Sequence, residues 1–125
     1  MFFMTKKKKA RMYLDNKPKE KYTTFDLLLN DYLDGSLEKD LKSLGLKSNC
    51  IEADLDDDVQ YIAVESRYRA YTMDLTIYTD EINIFFTDEE LPEELEPDAC
   101  KEQDLPLESK EKLFELIKEK LAGLD

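Results

Sequence analysis

Phe25, Leu28, Leu29, Tyr32 and Leu33 recur at i, i+3, i+4, i+7 and i+8, which is one apolar face of a helix. Thr23 and Asp26 have the capping-box spacing and Gly35 supplies a stop, so the pattern predicts a helix over roughly 24–34. A second, shorter helix follows Ser36, with Leu37, Leu41 and Leu44 on one side and Gly45 at its end. From Cys50 to Asp88 the period shortens to two. Tyr71, Met73, Leu75 and Ile77 alternate with Thr72, Asp74, Thr76 and Tyr78, and Ile82, Ile84 and Phe86 alternate with Asn83 and Phe85 beyond a tight turn at Thr79-Asp80-Glu81. Ile51, Ala53 and Leu55 form a weaker alternating run, and Val59 to Val64 is nearly continuous apolar. Strands joined this closely form an antiparallel meander, because a parallel pair needs a crossover of about a dozen residues or more.

Residues 88–107 break the order. DEELPEELEPDACKEQDLPL carries Pro92, Pro97 and Pro106 and nine acidic side chains against one lysine. Leu113, Phe114, Ile117 and Leu121 then mark a helix over roughly 107–122, with Glu108 and Lys112 as an i,i+4 pair and Gly123 as its stop. The fold class expected is α+β: a four-stranded antiparallel meander, with one or two N-terminal helices and a C-terminal helix packed on its apolar face.

Charge divides the chain. Residues 1–21 hold eight Lys and Arg against Asp15 and Glu20, a net of +6, whereas residues 22–125 hold ten against 28 acids, a net of −18. The organisation read from this is a basic N-terminal arm over 1–21 followed by a single acidic α+β domain over 22–125. No apolar run approaches the roughly 20 residues of a membrane span. MFFM precedes its lysines, the reverse of a secretory signal. A soluble, cytoplasmic chain is expected, with Cys50 and Cys100 as free thiols.

Candidate chemistry is sparse. In DLDDDVQYIAVE, residues 54–65, carboxylates fall at positions 1, 3, 5 and 12 of a calcium-loop template. Position 6, however, is the β-branched Val59 where a sharp turn needs glycine, and Glu65 lies in strand sequence. Asp56, Asp57 and Asp58 read instead as a charged hairpin turn. The chain has no histidine, GxSxG, P-loop or GxGxxG. Glu65 and Asp74 are the best carboxylate candidates for catalysis, and nothing in the sequence sets them apart as buried. No enzyme activity, cofactor or metal is therefore expected.

Two surfaces remain as candidates for binding. One is the basic arm, KKKKARMYLDNKPKEKY with Tyr13 and Tyr22 within it, whose cations and aromatics suit nucleic acid but whose acidic body opposes it. The other is the acidic surface: Asp56, Asp57 and Asp58 in the turn, Glu89, Glu90, Glu93, Glu94 and Glu96 in the loop, with Tyr78 and Phe85 as aromatic anchors. The expected partner is a basic protein, either a toxin or a DNA-binding protein, and neither a membrane nor a nucleic acid. The chain itself is expected as a monomer or a weak edge-paired dimer. In size, charge and pattern the sequence is similar to the class of bacterial immunity proteins that neutralise toxins. A similar class is the phage anti-defence proteins that imitate DNA. No motif carries a functional residue over from either.

Overall fold

A computed structural model describes residues 5–55 and 58–125. Thr23 accepts a hydrogen bond from the Asp26 amide while the Asp26 carboxylate accepts one from the Thr23 amide, closing the capping box that starts helix α2 (Thr24–Asp34). Gly35, at φ 86°, ends it in the left-handed conformation that glycine adopts without strain. Helix α3 (Ser36–Ser43) follows at once.

The leading segment differs from the expected arm. Thr5 caps helix α1 (Lys6–Asp15), which buries Ala10 and Leu14. Two apolar residues at i,i+4 in a lysine-rich stretch are a weak periodic signal. Helix α1 is held by contacts that are distant in sequence. Lys17 and Tyr13 both donate to the fully buried carboxylate of Asp26, at 2.6 and 2.7 Å, and the Tyr22 hydroxyl donates to the Leu14 carbonyl at 2.9 Å.

Strands β1 (Lys47–Asp54), β2 (Tyr61–Tyr68), β3 (Tyr71–Tyr78) and β4 (Glu81–Thr87) pair antiparallel in chain order. The sheet has five strands rather than four. Strand β5 (Gln103–Pro106) lies within the acidic loop and pairs with β4 from Glu81–Pro106 to Ile84–Gln103. Its single apolar residue, Leu105, and its terminal proline leave no alternation to read, and proline is tolerated there because β5 is an edge strand. Short 3₁₀ turns at Glu93–Leu95 and Asp98–Cys100 order the rest of that loop.

Helix α4 (Lys110–Leu124) starts later than expected, at the Ser109 cap, and continues through Gly123. Gly123 therefore does not stop the helix: a Cβ there would lie 3.0 Å from the Ala99 Cβ, so the glycine admits close packing of the loop. Lys110 ties α4 to α2 and α3 through Asp31 and Asp40.

The core forms on one side of the sheet. Ile62, Val64, Met73, Leu75, Ile77, Ile82, Ile84 and Phe86 pack into one buried cluster with Phe25, Leu28, Leu29, Leu41, Leu113, Ile117 and Leu121 from the helices. At roughly 25 cal/mol per Å² of apolar surface removed from water, this layer is the main stabilising term. The alternate strand positions face the other way and are half-buried or exposed. Among the described residues no helix is long and apolar enough to cross a membrane.

Candidate partner-binding face

Alternation along a strand sends every second side chain to the uncovered face, and strand register decides which of them become neighbours. Glu65 pairs with Cys50 on one side and Asp74 on the other, and Asp74 pairs with Phe85, giving the row Cys50, Glu65, Asp74, Phe85. The next row is Glu52, Ala63, Thr76, Asn83, Asp104, and a third is Asp54, Tyr61, Tyr78. The Tyr61 and Tyr78 rings meet edge to face, 6.5 Å between centroids. Asn83 donates to Glu102 and to Asp104, both at 2.9 Å.

This face is acidic for a structural reason. Polar positions of the strands point away from the helices, and in this chain they include the carboxylates Glu52, Asp54, Glu65, Asp74 and Asp104. Burial, reinforced by the charge of Glu65, raises the Asp74 carboxyl above its ordinary value. Arg67 stands on the same face near the Tyr68–Tyr71 hairpin end.

The expected site residues fall in different places. Asp56 and Asp57 lie outside the described residues. Asp58 is exposed where the chain enters β2, at the Tyr61–Tyr78 end of the sheet. Glu89 and Glu90 leave from the opposite end of β4, roughly 20 Å away along a strand at about 3.3 Å per residue. Asp58 and the loop are thus separated, and the carboxylates of the open face lie between them. Phe85 is brought together with Glu93 and Glu96 around a cleft of about 400 Å³ that also includes Glu102. Glu94 points to solvent, as do Leu91 and Leu95, the latter 65% exposed. Among the described residues no lysine or arginine pairs with Glu89, Glu90, Glu93, Glu94 or Glu96.

The basic segment meets this face at Asp54, and Lys7, Arg11 and Lys17 are engaged elsewhere. Lys6 reaches Asp54 at 3.9 Å, Lys17 is committed to Asp26, Arg11 donates to Asn30, and Lys7 lies over the Tyr32 ring. Tyr13 and Tyr22, the aromatics of the alternative nucleic-acid arm, pack against the core and spend their hydroxyls internally.

Burial and a hydrogen bond with Glu96 push the Cys100 thiol up to about 11, which keeps it protonated and inert as a nucleophile at neutral pH. Among the described residues, no group of three or more metal-ligating side chains is arranged to hold an ion.

Glu65 and Asp74 stood out in the sequence as strand carboxylates, as candidates for catalysis rather than binding, and Glu52 carries the same signal of a polar strand position. Asp104 was hidden, because β5 shows no alternation. Their grouping depends on register. No protein-family model matches this chain, and no curated protein or solved structure matches it.

Proposed function

We propose that this chain is a non-catalytic binding protein that caps a basic surface on another protein, in the manner of an immunity or inhibitor protein that neutralises a toxin. One observation carries the reading. The core helices share the apolar side of the sheet, so a face bearing Glu52, Glu65, Asp74 and Asp104 is left uncovered beside a loop in which Asp98 pairs with Lys101 while Glu89, Glu90, Glu93, Glu94 and Glu96 have no lysine or arginine partner among the described residues. Charge of one sign over a small surface gives a potential of several kT, which steers a basic partner and repels polyanions. Tyr61, Tyr78 and Phe85, half-buried on the same face, supply rigid aromatic contact area.

The test is charge reversal in the loop. A Glu89→Lys, Glu90→Lys, Glu93→Lys, Glu94→Lys variant should lose at least tenfold in affinity for the native partner, about 1.4 kcal/mol. Its melting temperature should stay close to that of the parent, because these side chains are exposed. Unaltered affinity removes the loop from the reading.

A DNA-imitating anti-defence role is favoured by a different feature, the spread of carboxylates over the sheet rather than in one turn. In that case duplex DNA should compete with the chain for its partner. A toxin partner without a nucleic-acid site should be indifferent to DNA.

A further inference from the structure

We infer that the uncovered sheet face is a trough shaped for one cationic helix of the partner, lying across the strands. Ala63 and Thr76 are register partners with short side chains and form its floor. Two positions along the strands in one direction stand Glu65 and Asp74. Two positions in the other stand Tyr61 and Tyr78. A depression of about 150 Å³ lies between the floor and the acidic wall, bounded also by Cys50 and Glu52.

The dimensions select the occupant. The walls are four residues apart along a strand, roughly 13 Å at 3.3 Å per residue, and a helix with its side chains is about 10–12 Å across. The row of Glu52, Ala63, Thr76, Asn83 and Asp104 crosses five strands about 4.8 Å apart, roughly 19 Å or the length of a helix of about 13 residues, and the acidic and tyrosine walls flank it together over β2 and β3. An extended segment would leave the tyrosine wall untouched if it followed the acidic one. The chemistry is also two-sided: carboxylates on one wall meet lysine or arginine heads, while the tyrosine wall receives aliphatic stems and apolar residues.

The inference rests on the capping of a basic protein and names the element that is gripped. The probe is a covalently stapled 15-residue helical peptide of alanine, leucine and lysine with its lysines on one face. The comparator is a peptide of equal charge kept extended by prolines. Titrated into the full chain, the helical peptide should move the amide resonances of Ala63, Glu65, Asp74 and Thr76 and bind at least tenfold tighter than the extended one. A Glu65→Gln, Asp74→Asn variant should lose that preference while remaining folded, and Ala63→Phe should lose it by filling the floor without a change of charge. Equal affinity for both peptides, or no effect of Glu65→Gln, Asp74→Asn, overturns the trough. Resonance changes confined to residues 89–96 overturn the trough and leave the capping reading standing, whereas a native partner indifferent to every carboxylate change removes both.

Discussion

Glu65 and Asp74 are register partners on β2 and β3, so two carboxylates stand opposite each other on the uncovered face of the sheet. Like charges directly opposed across a sheet destabilise it by about 0.2–1 kcal/mol. The folded protein holds Asp74 above its ordinary value of 3.8, through burial first and Glu65 second. For a raised carboxyl the charged form is the unfavourable one, so stability rises as pH falls through the raised value toward 3.8. Asp74→Asn should therefore melt higher than the parent at neutral pH, with the gap closing as the solution is acidified. Thermal melts across that range check it, and a variant less stable at pH 7 contradicts it. A pair that weakens the free protein is what a surface kept for a cationic partner would contain.

Lys17 and Asp26 behave in the opposite sense. Burial alone would raise the Asp26 carboxyl, but hydrogen bonds from Lys17, the Thr23 amide and Tyr13 outweigh it and hold it below its ordinary value. The stabilisation is therefore present above that value and is lost as pH falls through the lowered one. Removing one partner of a buried ion pair costs about 3–5 kcal/mol. Lys17→Met should fall near the lower end, since Tyr13 and Thr23 still serve the carboxylate. Urea unfolding at pH 7 should show this loss, and at acid pH it should shrink.

Gly123 lies inside α4, where alanine would ordinarily stabilise a helix by about 1 kcal/mol. Its Cβ would meet that of Ala99 at 3.0 Å. Gly123→Ala alone should gain nothing or lose stability, and Gly123→Ala combined with Ala99→Gly should recover part of the loss. A non-additive double-mutant cycle is the expected result.

The two thiols should react at very different rates. Cys50 is exposed on β1, and Cys100 is buried with its thiol pushed up to about 11. A thiol reagent at pH 8 should label Cys50 promptly and Cys100 only after denaturation. Rapid labelling of both would contradict the packing of the acidic loop.

Much of the fold was legible because each cue acted within a few residues. The Thr23/Asp26 box, Gly35 and the apolar stripe bounded α2 as the structure has it, and the alternation of Tyr71 to Tyr78 set both the β3 strand and its inward face. Strand β5 and helix α1 were not legible, because neither carries enough periodic apolar residues to declare itself. The first is made by pairing with β4. The second is made by the burial of Ala10 and Leu14 and by Lys17 reaching a carboxylate nine residues on.

The sequence by itself determined that this chain is acidic, that its strands are amphipathic and that Glu52, Glu65 and Asp74 occupy polar positions in them, since side-chain alternation is a property of a single strand. Which carboxylates face one another, which lysines are consumed internally, and that a floor of Ala63 and Thr76 lies between an acidic and an aromatic wall were decided only when the strands paired. Register is a relation between strands, and a shift of one residue would have turned the same side chains into the core.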